Sequence, residues 1–305
     1  MQKISPMTLG TVQLGMNYGI ANTSGKPDEK QSFAILEAAL SGGVTVLDTA
    51  RAYGDSETVI GRFLKQWRGE KPGIVTKIPV LQGSSPKELE KFVTESVEQS
   101  LERLGVNQVE TVMLHGAKDP LIHGRACADA MASLVAKGYT QKVGVSVYTG
   151  EDIDGMLAYD IFSVTQVPMS LFDQRLISGG YINKLQKREY TVFVRSVFLQ
   201  GLFFLDPDKM EDPILLEYAA PKLRLLKSLA RYYGMSIPQL AIAFIRDCAG
   251  VSSLVLGADT AEQVKTNLAC FDTPTLDKST MKLLYNEFSD VNIPALMQVL
   301  SRSKK

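Results

Sequence analysis

Three features of this sequence predict an α/β fold in the form of a single (β/α)8 TIM barrel. Eight short apolar runs, rich in β-branched residues, each give way to a helix-period pattern. Runs such as TVLD and TVFVRS show little alternation between apolar and polar residues, as strands covered on both faces do. No Pro- or Ser-rich linker divides the chain, and 305 residues is a length that such barrels reach as one domain, 1–305.

Taken in order, the expected strands are 7–15, 44–48, 73–77, 109–115, 142–147, 163–167, 190–196 and 251–257. The helix pattern EKQSFAILEAALSGG begins in acidic residues, spaces its apolar positions by three and four, and stops at a glycine pair. SPKELEKFVTESVEQSLERLG opens with Ser-Pro, as helix starts do, and ends on Gly105. IHGRACADAMASLVAKGY and TAEQVKTNLACF follow the same plan. The departure is 201–223, three prolines and many charges after the seventh strand. In a barrel this is a loop on the active-site face, expected to be a lid or a solvated insertion.

Composition excludes several classes of function. Lys+Arg and Asp+Glu both total 33, so no net charge marks the chain for nucleic acid or an anionic membrane. The tail SRSKK reads as a solvated end. The three cysteines, Cys127, Cys248 and Cys270, are scattered without CxxC spacing, so neither a disulfide framework nor a metal site is indicated. The first ten residues lack a signal peptide's apolar core, and no run of about 18 apolar residues is present. A cytoplasmic protein, monomeric or a small homo-oligomer, is expected.

Active sites of such barrels form where strands end. Asp48 ends the second strand, Tyr53 follows in its loop, Lys77 ends the third and His115 the fourth. Taken singly, each has an ordinary explanation: a helix cap, a rim aromatic, a surface charge, a core histidine. Together they form one constellation at one mouth. The other histidine, His123, starts a helix and reads as structural. A phenol is a weak acid near pH 7, and an adjacent ammonium is expected to lower its pKa. Asp48 would hold that ammonium, and a histidine beside the phenol would orient a substrate oxygen. The set suits protonation of an oxygen that gains charge as hydride attacks a carbonyl. Hydride implies a cofactor, yet no GxGxxG occurs. The alternative phosphate site of a barrel lies near strands seven and eight, where LGADTAEQVKTN ends a strand in glycine and opens a helix at threonine.

The segments LDTARAYGDSE, TK at 76–77, LHG at 114–116, GVSVY, TQVPMSLFDQR and RSVFLQGL, in this order from about residue 7 to 271, resemble the aldo-keto reductases. The similarity is greatest to a bacterial branch carrying RSVFLQG, met in sugar and surface-polysaccharide metabolism. It implies a barrel that binds NADP(H), ahead of NAD(H), across its mouth and reduces an aldehyde, ketone or sugar derivative. Tyr53 would be the general acid, Lys77 would tune it, Asp48 would pair with Lys77, and His115 would orient the carbonyl. Ser146 and Gln166 would bond the nicotinamide amide and Arg195 would lie against its ring. Ser196, Phe198, Gln200 and Gly201 would line the pyrophosphate. Gly257, Ala258, Gln263 and Asn267 would surround the adenosine, and Gly10 and Thr11 would approach through their backbone.

Three departures from that pattern matter. Val147 stands where an amide is usual. Gly257 and Gln263 stand where many members carry Lys and Arg, with Lys265 as a nearby substitute. LHG replaces the commoner His-x-Pro. The rim around Trp67, Tyr148, Met169 and Phe172 is expected to shape substrate choice. Two further readings stay open: a cofactor-binding regulatory or interaction protein with negligible turnover, and a sugar epimerase that uses its cofactor transiently.

Overall fold

A computed structural model describes residues 3–22 and 25–301. Its strands are β1 (Met7–Gly10), β2 (Val46–Asp48), β3 (Gly73–Ile78), β4 (Val109–Leu114), β5 (Thr140–Ser146), β6 (Phe162–Pro168), β7 (Thr191–Arg195) and β8 (Ser253–Gly257). They close in sequence order into one parallel barrel, with β8 returning to β1. Gly10 pairs with Asp48 on one side and Gly257 on the other. Ser146 pairs with Gln166, and Pro168 with Arg195. The strand ends that carry the expected site therefore meet at one mouth.

Helices wrap the barrel because their apolar stripes need a partner. The main core lies between them and the sheet, while Val46, Val75, Met113, Val164 and Phe193 fill the interior of the barrel. Glu29–Ser41 and Pro86–Leu104 each begin with a reciprocal capping box, Asp28 with Gln31 and Ser85 with Glu88. The second ends at Gly105 in the left-handed conformation, as its sequence predicts.

Most strand ends shift by one or two residues, and three differences from expectation are larger. The first strand stops at Gly10 rather than 15, because Thr11 turns out of the sheet and donates from both its backbone N–H and its hydroxyl to the Asp48 carbonyl, at 3.0 and 2.9 Å. Residues Val12–Gly15 then form a helical turn that buries Leu14. His123 lies inside helix Asp119–Ala136, beside a break at Gly124 (φ 58°, ψ −134°). The 201–223 segment carries only the short 3-10 turns Leu199–Phe204 and Pro207–Lys209 before about residue 214. From Leu215 a π-helical turn leads into helix Ala220–Tyr232. Pro221 lies in the helix's first turn, where its missing N–H costs nothing inside the helix and widens the turn before it. Among the described residues no helix is long and apolar enough to cross a membrane. Residues 302–305 of the expected solvated tail lie outside the described residues.

Candidate active site

The β2 loop is fixed before any ligand arrives. Ser56 donates to the Thr11 carbonyl at 2.9 Å, and Thr49 donates to the Ser56 hydroxyl at 3.0 Å. Glu57, in the first turn of helix Ser56–Gln66, is buried and accepts from Thr76 at 2.6 Å, which ties that helix to β3. Gly15 and Gly54 let two backbones touch beside Tyr53. A Cβ on Gly15 would stand 1.7 Å from the Tyr53 carbonyl oxygen, and Gly54 needs φ +56°.

On this frame Lys77 is fully buried and donates to both Asp48 oxygens, at 2.7 and 2.8 Å, and to the Thr49 carbonyl at 3.0 Å. The same ammonium reaches the Tyr53 hydroxyl at 3.5 Å. The His115 ring stands edge-on to Tyr53 at 5.8 Å between centroids. All four expected residues are thus brought together.

One expectation is reversed. Burial raises the Tyr53 pKa well above that of an ordinary phenol, the Asp48 charge raises it further, and Arg195 only partly opposes. Lys77, whose ammonium donates to both Asp48 oxygens, does not undo this rise. Burial lowers the Lys77 pKa and Asp48 pulls it back up.

Beside this cluster a cleft of about 400 Å³ runs across the mouth toward helix Ala261–Ala269. Asp48, Tyr53, Gln166 and Arg195 line its inner end, with Gly10 and Thr11 as floor. Ser196, Phe198, Gln200 and Gly201 form the middle wall, and Gly257, Gln263 and Asn267 the far end. Ser146 and Ala258 are buried behind this surface, and Lys77 lies beneath it. His115, edge-on to Tyr53, is not among the residues that line the cleft. The middle wall turns sharply: Ser196, Leu199 and Gln200 all have positive φ, as does Gly201. Gln166 donates its amide N–H to Asp48 at 2.8 Å, which leaves its carbonyl oxygen for a ligand. Arg195 donates to the Val147 carbonyl at 3.1 Å and lies over the Tyr148 ring at 4.5 Å.

The cleft residues that escaped the sequence reading include the polar Gln13, Tyr18, Asn22 and Asp259. Burial pushes the Tyr18 phenol up to about 12. The side-chain carbonyls of Gln13 and Gln200 are buried on this wall without a hydrogen-bond partner among the described residues. Buried acceptors left unpaired are costly, so the wall fits a polar ligand that brings hydroxyl or amide donors. The expected rim is corrected in part. Tyr148 stands at the mouth, but Met169 and Phe172 are buried, Phe172 against Phe203 and Phe288. Trp67 caps the far end of helix Ser56–Gln66, stacked on Phe63.

The chain is similar to the aldo-keto reductase YhdN of Bacillus subtilis, 27% identical over 92% of this chain and 91% of that protein. It is similar also to an NADH-specific methylglyoxal reductase of Escherichia coli K12, 25% identical over 88% and 90%. A 6-dehydroglucose reductase of Agrobacterium fabrum is 26% identical over 83% and 86%. Among solved structures, the holo form of aldo-keto reductase AKR11C1 from Bacillus halodurans superposes with a TM-score of 0.76 at 21% identity, covering 93% of this chain and 92% of that one. An aldo/keto reductase of Klebsiella pneumoniae in complex with NADP and acetate gives 0.70 at 22% identity, covering 93% and 92%. The model of the aldo/keto reductase family matches residues 6–286, nearly the whole barrel, and the chain belongs to that family.

Proposed function

We propose that carbonyl reduction by this nicotinamide-dependent oxidoreductase proceeds with Tyr53 as proton donor to the substrate oxygen and His115 as the group that orients that oxygen. The observation that carries this reading is the buried Asp48–Lys77 pair placed 3.5 Å from the Tyr53 hydroxyl, at the inner end of the cleft. The raised pKa keeps Tyr53 protonated at neutral pH, the form a general acid needs. Lys77 donates toward the phenol oxygen and so stabilises the phenolate left after transfer, while Asp48 fixes the lysine in place. The nicotinamide, when bound, supplies the hydride.

Gln166 and Ser146 would hold its carboxamide, Arg195 would lie against its ring, and the turn 196–201 would line the pyrophosphate. Gly10 and Thr11 would approach through their backbone, and Gly257, Ala258, Gln263 and Asn267 would enclose the adenosine. Val147 is buried and apolar, so one amide contact is absent and Gln166 carries more of the orientation. Relatives named as reductases of methylglyoxal and 6-dehydroglucose support a small aldehyde, ketone or sugar carbonyl as substrate. One relative is NADH-specific and another is solved with NADP, so the choice falls to this chain's own residues. The sequence puts NADP(H) ahead; the charges of the cleft support the opposite order.

The test is a panel of aldehydes, ketones and sugars with reduced cofactor, following both cofactor and product. Stoichiometric loss of reduced cofactor with alcohol formed is expected. Product without net cofactor change would mean an epimerase, and binding without turnover across the panel a regulatory protein.

A further inference from the structure

We infer that Asp259 selects NAD(H) over NADP(H) by placing a carboxylate where the adenosine ribose of the cofactor lies. The inference rests on the proposed dinucleotide reading of the cleft. The hydride-donating end must meet Tyr53, so the adenosine end occupies the opposite part, between Gly257 and helix Ala261–Ala269.

Asp259 lines that end, half-buried, and is held in place from two directions. One of its carboxylate oxygens accepts from the Asn22 amide at 3.1 Å, and its backbone N–H donates to the Gln263 side chain at 2.7 Å. No lysine or arginine lines this end of the cleft among the described residues. Lys265 does not compensate: it is 65% exposed and reaches toward Glu262, 3.5 Å away. Arg195, the cation of the cleft wall, sits at the other end over Tyr148. The helix start that could attract an anion is partly engaged, since Thr260 accepts from the Gln263 N–H, and Glu262 adds negative charge to the first turn.

A ribose 2′-hydroxyl can donate to a carboxylate, the arrangement by which dinucleotide sites elsewhere choose NAD. A 2′-phosphate carries about −1.5 to −2 charges near pH 7, by analogy with other phosphomonoesters. Here it would face Asp259 in a half-buried setting with no guanidinium to receive it.

The experiment is a fluorescence titration of the wild-type protein with NADH and with NADPH, repeated on Asp259→Asn and Asp259→Ser. Wild type is expected to bind NADH at least about tenfold more tightly. Both variants should narrow that ratio, chiefly through tighter NADPH binding. Raising salt from about 0.01 to 1 M, which shortens the screening length from roughly 30 to 3 Å, should narrow it in the wild type too. Equal or tighter NADPH binding by the wild type overturns the inference. An NADH preference that neither folded variant changes overturns the assignment to Asp259. Binding of neither cofactor overturns the dinucleotide reading itself, and the inference with it.

Discussion

The two ends of the cleft are built on different principles. At the inner end, Asp48 and Lys77 are buried, lie on adjacent strands, and hold one another through contacts of 2.7 and 2.8 Å. At the far end the wall comes from three loops, joined by bonds such as Asn22 to Asp259 at 3.1 Å and Ile20 N–H to the Gln200 carbonyl at 2.9 Å. The inner end is fixed by the core of the barrel, and the outer end by a few half-exposed contacts. Chemistry that needs sub-ångström placement sits on the rigid part. Selection among cofactors sits on the part that can vary without disturbing the barrel.

The largest effect expected from this contrast is at the buried pair. Lys77→Met leaves Asp48 charged and uncompensated in the interior, which costs about 3–5 kcal/mol of stability. Urea denaturation would measure it. The double variant Lys77→Met/Asp48→Leu should recover part of that loss while remaining inactive. A double variant no more stable than Lys77→Met would mean that packing rather than charge dominates there.

Next in size is Gly15→Ala. The added methyl collides with the Tyr53 backbone, so a loss of about 1–3 kcal/mol is expected, with kcat reduced through displacement of Tyr53 and cofactor affinity nearly unchanged. The smallest stability effect is at Asn22→Ala, about 1 kcal/mol for loss of half-exposed hydrogen bonds to Tyr18, Gly25 and Asp259. Its expected signature is kinetic, a faster cofactor off-rate in stopped-flow fluorescence. If it lowered kcat as much as Gly15→Ala does, the proposed division of labour would be wrong.

Proton affinity sharpens the same comparison. The raised Tyr53 pKa means that the folded protein holds this proton more tightly than an unfolded chain, whose phenols titrate near 10. Tyr53 should therefore contribute no phenolate absorbance below about pH 10 in the cofactor-free protein. The wild-type spectrum minus that of Tyr53→Phe measures it directly.

The barrel was legible because strand–helix alternation is a local signal repeated eight times, and the tetrad because each member sits at a strand end or in the loop that follows. Boundaries failed where a residue's partner lies elsewhere. TVQLG continues the apolar look of β1, but the bond from Thr11 to Asp48 ends the strand. Met169 and Phe172 follow β6 as rim residues would, yet the helices beyond fold over them. Asn22 and Asp259, 237 positions apart, meet through two loops whose directions no periodicity encodes. The direction of the Tyr53 shift is not legible for the same reason: spacing places the lysine, but only the fold shows how deeply the phenol is buried and how close it lies to the Asp48 charge.

The most direct test of proton donation by Tyr53 is to compare Tyr53→Phe with the wild type in kcat and in cofactor Kd. A fall in kcat of about 10²–10⁴-fold is expected for loss of a positioned acid, with Kd unchanged because the hydroxyl is removed and the ring stays. Wild-type turnover by Tyr53→Phe on every accepted substrate would contradict it.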